Sequence, residues 1–370
     1  MPANEIELRL GMRLQVQPPR QADGGRRAGG RAATAQAQAY SGEETVMNAT
    51  PNTTTMKAAV AAGYGPPDVV RVAEVARPVP RTDEVLVRVV AAAVTSGDAR
   101  IRAARFPRGF GFFARLAFGL SRPRQPVLGG VFAGVVEAVG DGVGGFTAGE
   151  AVCGMTGAKM GTHAEFVAVP ASRLAHTPPG VSHDDAAGVL FGGTTALYFL
   201  RDKATVAPGM SVLVNGASGA VGTNAVQLAT ILGATATGVT SAANTELVTH
   251  LGATRTIDHT TTDLTTIADR FDIVFDTVGN LSVTSGRRLL TDGGTLVLAV
   301  AGLGELLRAR GNVVAGSAPE RVADFDFLLR LVAEGRLTVV HDQAYALADI
   351  AAAHRRVDSG RKRGNIIVHP

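Results

Sequence analysis

The stretch VLVNGASGAVGTNAVQLA, Val212 to Ala229, leaves the backbone few choices. Val212 to Val214 have strand character, while Val221, Ala225, Val226 and Ala229 recur at helical spacing. Between the two runs lies Gly216-Ala217-Ser218-Gly219-Ala220-Val221-Gly222. A strand that turns into a helix so quickly needs glycine wherever a Cβ would clash or φ is positive. Glycine also lets backbone N–H groups approach a ligand, and the helix start presents free donors with partial positive charge. A diphosphate suits that place. The spacing reads G-x-x-G-x-x-G rather than G-x-G-x-x-G, so glycines that merely close the corner remain an alternative until the context is added.

The context is a strand–helix series, the mark of a parallel sheet. The pattern predicts strands at Ser211–Asn215, Thr235–Val239, Thr256–Ile257, Asp272–Phe275 and Thr295–Val300. Helices are predicted at Ala220–Leu232, Thr245–Leu251 and Ser282–Leu290. Before this series, from Met56 to about Val169, short β-branched runs alternate with Gly and Pro. Glu84–Val94, Gly134–Gly140, Ala151–Met155 and Ala164–Pro170 read as strands of a mostly β region. Ile101–Pro126, rich in Phe and Arg, fits neither a strand nor a regular helix. After Arg321 come two helices and a last strand in RGNIIVHP. Residues 1–55 hold Gly, Ala, Arg, Thr and Gln with few large apolar groups, too little to offset ordering entropy, and are expected to be disordered.

Several segments carry a resemblance: MKAAV, GDARIR, GGVFAGVVEAVG, PGMSVLVNGASGAVGTNAVQLATILGA, LGATRTID, FDIVFDTVG and RGNIIVHP. From Met56 to Pro370 the chain resembles the medium-chain dehydrogenase/reductase superfamily, in its zinc-free quinone oxidoreductase (zeta-crystallin-like) branch. The resemblance implies an α/β protein with a GroES-like, mostly β catalytic domain (residues 56–181 and 322–370). A Rossmann-type, doubly wound parallel-sheet nucleotide domain (residues 182–321) is inserted in it, with the active site in the cleft between.

Metal-dependent relatives hold Zn²⁺ with Cys in a Cys-x-x-Asp and with His and Glu in a Gly-His-Glu. Here the corresponding residues are Thr95 to Asp98 and Gly129-Gly130-Val131, and the four-cysteine structural lobe is missing. Thr, Gly and Val cannot replace thiolate, imidazole and carboxylate, so no zinc and no other metal is expected. The chemistry left is hydride transfer from a reduced nicotinamide to a quinone or α,β-unsaturated carbonyl, whose conjugation spreads the developing charge.

The resemblance places Thr95 and Asp98 beside the nicotinamide, as catalytic residues. The alternatives are a hydroxyl satisfied by nearby backbone and a turn cap. Arg100 stands where some relatives have a substrate-facing tyrosine, and Val131 where many have Asp. Thr195, in GGTTAL, matches a family threonine near the nicotinamide; a plain N-cap is the alternative. Cofactor contacts are expected from Gly216, Ala217, Ser218, Gly219, Ala220, Val221 and Gly222. Further contacts are expected from Thr277, Val278 and Gly279, and from Ala301 and Gly302, where glycines suit close backbone approach.

The second strand of the series ends in GVTSAANTE, without the acid that NAD sites place against the ribose hydroxyl. Thr240 and Ser241 can cradle a 2′-phosphate, with Asn244 a further expected cofactor contact, although Ala242 and Ala243 stand where NADP relatives often have Arg or Lys. Arg361, Lys362 and Arg363 could compensate, with Gly364 and Asn365 beside them; a solvated basic turn is the alternative. NADPH is expected, with NADH a second candidate.

The histidines form no ligand set, and surface or capping roles are expected for them. The single cysteine, Cys153, excludes an internal disulfide and reads as a small buried residue. FPRGFGFFARLAF, Phe106 to Phe118, reads first as a lid over a bulky acceptor, then as packing, then as a membrane-surface contact. A net charge of only +4, spread along the chain, speaks against nucleic acid. No apolar run reaches the ~18–20 residues of a membrane span, and no secretory signal is read. A cytoplasmic enzyme is expected, with a homodimer implied by the resemblance alone. Two rivals remain: an alcohol dehydrogenase-like enzyme with another acceptor, and a nicotinamide-binding protein with little turnover.

Overall fold

A computed structural model describes residues 54–106 and 109–370 of the chain. The segment expected to be disordered lies almost wholly outside them. The chain begins with a hairpin, β1 (Thr55–Ala61) and β2 (Val70–Ala76), paired antiparallel. β3 (Glu84–Ala93) leads into α1 (Ser96–Arg102), and α2 (Gly111–Phe118) follows. Next come β4 (Val131–Val139), β5 (Ala151–Met155), β6 (Phe166–Pro170) and β7 (Leu174–His176). The long helix α3 (His183–Leu197), N-capped by Ser182, carries the chain to the second sheet.

There β8 (Ser211–Asn215), α4 (Ala220–Ile231), β9 (Thr235–Thr240), α5 (Thr245–His250) and β10 (Ala253–Asp258) form one wing. The other wing is β11 (Phe271–Asp276), α6 (Val283–Arg287), β12 (Leu290–Leu298), α7 (Leu303–Arg308) and β13 (Val313–Ala315). The chain ends with α8 (Val322–Ala333), β14 (His341–Ala346), α9 (Ile350–Asp358) and β15 (Asn365–His369).

The six-stranded sheet is parallel throughout, in the order β10-β9-β8-β11-β12-β13. That is the doubly wound arrangement, in which ligands bind beyond the strand carboxyl ends where the order reverses, here between β8 and β11. The seven-stranded sheet runs β14-β15-β3-β4-β5-β7, with β6 also on β3. Its edge pair comes from the C-terminus, and β15 joins β3 through Ile367 and Val368. Both chain regions expected in the GroES-like domain therefore contribute to one sheet. Ala91, Val131 and Cys153 of that sheet share one apolar core with Val212, Val214 and Phe275 of the parallel sheet. Mostly aliphatic side chains fill it, with Phe199, Phe275 and Phe325 among them, and this burial supplies the main driving force for folding.

Three expectations need correction. Part of Ile101–Pro126 is helical, because Ala114 and Phe118 of α2 turn inward while Phe112 and Leu116 stay exposed. The helix expected over Ser282–Leu290 is confined to α6, because Leu290 pairs with Phe271 and begins β12 eight residues before Leu298. Among the described residues no helix is long and apolar enough to cross a membrane.

The third correction concerns two histidines. α9 buries Ile350, Ala353, His354 and Val357, so His354 occupies an apolar stripe rather than the surface. His163 is buried too, with Nε2 3.2 Å from the Ala93 carbonyl and its ring edge-on to His354 at 5.9 Å. Among the described residues neither His354 nitrogen has a hydrogen-bond partner. Burial, reinforced by His163 and Arg102, pushes its imidazole down from 6.5 to about 2. The folded protein refuses a proton that the unfolded chain accepts below about pH 6.5, so this contribution is whole above that pH and lost as the pH falls. Between pH 6.5 and 5 the loss should be about 2 kcal/mol. Melting curves over this range should show it, and His354→Leu should flatten the slope. An unchanged slope would clear His354 as its cause.

Candidate cofactor cleft and active site

The Gly-rich turn is built from backbone. Gly216, at φ +83, leaves β8, and both Gly216 N–H and Ala217 N–H donate to the Val239 carbonyl at 3.1 and 2.9 Å. Gly222 sits tightly behind, since a Cβ there would lie 2.1 Å from the Gly216 carbonyl oxygen. Gly219 is different. A Cβ on it would meet only that same oxygen, at 3.5 Å, so its open side faces the cavity. Gly219 is also the N-cap of α4 and offers no side-chain cap, which leaves the first-turn N–H groups free for a ligand.

The cavity in front of this turn has a volume of about 900 Å³. Gly216, Ser218, Gly219, Ala220 and Val221 form one wall. Thr240, Ser241 and Asn244 form the next, where Ser218 Oγ accepts from Thr240 Oγ1 at 3.0 Å and Asn244 Nδ2 at 3.2 Å. Among the described residues no carboxylate lines the cavity. Thr277 and Val278 line the far side, and Thr277 Oγ1 donates to the Asn215 carbonyl at 2.7 Å. Asp276 shapes that loop, accepting from Asn215 Nδ2 and from the N–H groups of Val278, Gly279 and Leu281.

The basic C-terminal turn docks on the Gly-rich turn. Gly364 N–H donates to the Ser218 carbonyl at 2.8 Å, and Arg361, Lys362 and Arg363 line the cavity. Burial lowers the Lys362 amine to about 8, with Asp342 opposing, and its Nζ donates to the Gly364 carbonyl. Asp342 is occupied by Arg356, at 2.5 and 3.0 Å. Asn365 supports the turn from behind, donating to the Val340 carbonyl at 3.0 Å.

Thr95 and Asp98 close on each other. Asp98 Oδ2 accepts from Thr95 N–H and Thr95 Oγ1, both at 2.7 Å, while Asp98 N–H donates to Thr95 Oγ1 at 3.2 Å. This capping box starts α1 and is buried, so the side chains fronting the cavity are those of Ser96 and Arg100. Thr195 is no N-cap. It lies inside α3, its Oγ1 donating to the Phe191 carbonyl at 2.7 Å, and Phe191 is the α3 residue that reaches the cavity. Ala217, Gly222, Gly279, Ala301, Gly302, Gly364 and Asn365 also stay out of the lining; Gly302 caps α7.

Sequence reasoning missed His259 and Thr260, which line the cavity beyond β10; His259 N–H donates to the Thr240 carbonyl at 3.1 Å. Nothing local marks them, because only the β9–β10 pairing brings them there. Asn280 was missed as well, although it ends the DTVGN loop and accepts from Asn215 Nδ2 at 2.6 Å. Of the stretch from Phe106 to Phe118, part of which lies outside the described residues, none of the described residues lines the cavity. Phe106 stacks on Phe118, and a Cβ on Gly109 would lie 2.6 Å from Leu303, so the segment rests on α7. Cys153 is buried and its thiol pushed up to about 12, chiefly by burial, which leaves no thiolate near neutral pH.

Where metal-dependent relatives have Cys, His and Glu, this chain has the capping Thr95, Gly130 and the buried Val131. Among the described residues, no group of three or more His, Cys, Asp or Glu side chains could hold a metal ion.

Two family models match the chain, "Alcohol dehydrogenase GroES-like domain" over residues 81–179 and "Zinc-binding dehydrogenase" over residues 251–368. The chain is 30% identical over 327 residues to 2-methylene-furan-3-one reductase of Solanum lycopersicum, covering 85% of this chain and 79% of that protein. It is 29% identical over 332 residues to quinone oxidoreductase of Pseudomonas aeruginosa, covering 84% and 98% respectively. Among solved structures, the quinone oxidoreductase from Coxiella burnetii superposes with a TM-score of 0.78 at 26% identity, over 86% of this chain and all of that one.

Proposed function

From membership of the medium-chain dehydrogenase/reductase superfamily, to which this chain belongs, we propose a zinc-independent, NADPH-dependent reductase of quinones or α,β-unsaturated carbonyls. One observation carries the reading. One cavity is lined both by the Gly-rich turn, whose helix start has no side-chain cap, and by Ser96 and Arg100, and among the described residues no group of three or more His, Cys, Asp or Glu could hold a metal ion.

The residues present fit a dinucleotide. The open side of Gly219 and the first turn of α4 receive a diphosphate, while Thr277 and Val278 bound the space toward the acceptor. Ser218 and Ser241, held by Thr240 and Asn244, offer neutral hydroxyl donors where an acid would repel a 2′-phosphate, and Arg361, Lys362 and Arg363 offer charge. When bound, the reduced nicotinamide supplies the hydride. The protein orients and encloses. The Thr95–Asp98 box holds α1 so that Ser96 faces the acceptor space, and Asp276 fixes the loop opposite. Without a Lewis acid to polarise a lone carbonyl, the acceptor must delocalise its own charge, which favours conjugated substrates.

The test is direct. Purified protein with NADPH should consume the nicotinamide absorbance on addition of a 1,4-quinone or an enone, at a rate unchanged by a chelator. Cofactor bound but never consumed across a broad panel of acceptors would make this a binding protein. Chelator-sensitive oxidation of simple alcohols would make it an alcohol dehydrogenase.

A further inference from the structure

Most basic side chains around the cleft are already engaged. Among those lining the cavity, Arg356 holds Asp342, Arg363 lies 3.9 Å from the same carboxylate, and Lys362 donates to the Gly364 carbonyl. Arg100 is not engaged. It lines the cavity, and among the described residues its guanidinium has neither a hydrogen bond nor an ion pair. It stands one turn after Ser96, so both side chains share the cavity face of α1, while Asp98, Ala99 and Arg102 are buried on the other faces.

Its support is rigid. The capping box pins the start of α1, and Arg102 pins the end by donating to the Gly65 carbonyl at 2.7 Å and to Asp358. Among the described residues no carboxylate lines the wall to compensate the charge, and burial disfavours the charged form. A half-buried guanidinium without a counter-charge is costly, and its flat fork matches the two oxygens of a carboxylate or phosphate. A ligand that completes the pair recovers that cost.

We infer that Arg100 is the receptor for an anionic oxygen group, carboxylate or phosphate, that a ligand brings into the cleft. Two ligands can bring one: the dinucleotide through its diphosphate, or an acceptor that carries a carboxylate beside its conjugated carbonyl. The first source rests on the cofactor reading above; the second does not.

The experiment separates them by binding rather than turnover. Arg100→Leu and Arg100→Gln proteins are first compared with the parent by thermal melting, to establish that both fold. Calorimetric titrations then use NADPH, NADH, and the enone 3-benzoylacrylate beside its methyl ester, the last two with and without NADP⁺. A charge-assisted hydrogen bond to an ion is worth roughly a ten- to hundredfold change in affinity. Equal weakening of NADPH and NADH assigns Arg100 to the diphosphate. Weakening of the acid but not the ester, with both cofactors unaffected, assigns it to an acidic acceptor. Binding of all four ligands within about twofold of the parent would overturn the inference. A parent protein that binds no dinucleotide would instead sink the cofactor reading, and the acid–ester comparison would then decide the role of Arg100 alone.

Discussion

A Gly219→Val protein should fold like its parent and bind NADPH or NADH at least about a hundredfold more weakly, a loss near 3 kcal/mol. The backbone permits the change, because Gly219 has φ −80 and ψ 173, ordinary extended values for any residue. Space permits it too, since the new Cβ would have only the Gly216 oxygen nearby, at 3.5 Å. The isopropyl group would then stand in front of the free N–H groups of the first α4 turn, displacing the oxygens they should bind. Losing two or three charge-assisted bonds accounts for the magnitude. Gly222→Ala provides the contrast: its Cβ would sit 2.1 Å from the Gly216 oxygen, so the turn itself must move and melting temperature should fall with affinity. Circular dichroism and calorimetry measure both quantities. Undiminished affinity in Gly219→Val would mean that the phosphates bind elsewhere.

This turn was legible because its constraint is local. Three glycines, an apolar strand before them and a helix after them state a geometry that needs no distant partner. The β8 to β12 series was legible for the same reason, apart from the short α6 and the early start of β12, where Leu290 pairs with Phe271. What stayed hidden depends on tertiary placement. His259 lies in an unremarkable polar run, and only the parallel pairing of β9 and β10 carries it to the cavity. His354 reads as a surface group until α9 packs with Ile350, Ala353 and Val357 inward. β14, with the sequence HDQAYA, lacks apolar alternation because it is a largely exposed edge strand, held parallel to β15.

The Thr95–Asp98 pair shows a subtler limit. A threonine followed three residues later by an acid is a capping box as readily as a catalytic pair, and residue type alone does not separate the two. The structure makes the box and sends Ser96 and Arg100 to the cavity, one turn apart. The basic run 361–363 posed the same problem. As sequence it is a solvated turn or a phosphate site, and the distinction rests on where Gly364 attaches. Its N–H on the Ser218 carbonyl, with a lone bridge from Gly219 to Gly364, places the run on the rim of the Gly-rich turn.

That placement leads to a sharp expectation for cofactor choice. In a protein carrying Arg361→Ala, Lys362→Met and Arg363→Ala, NADPH affinity should fall about thirty- to a hundredfold, while NADH should change less than about threefold. The difference between the two cofactors is one phosphate carrying up to two charges, and these three cations line the same cavity as Ser241 and Asn244. Arg356 is held by Asp342 at 2.5 and 3.0 Å, whereas Arg363 lies 3.9 Å from the same carboxylate and is less committed to it. Lys362 adds a pH signature. Its amine, pulled down to about 8 by burial, is charged below that pH and loses its proton above it. NADPH affinity should therefore decline between pH 7 and 9 while NADH affinity stays level, and Lys362→Met alone should remove the decline. Titrations of the two cofactors across that range read the result. Equal losses for NADPH and NADH in the triple variant would move the basic turn from the 2′-phosphate to the diphosphate. Selectivity would then have to come from the Ser218 and Ser241 hydroxyls, held by Thr240 and Asn244, which discriminate only by the absence of an acid.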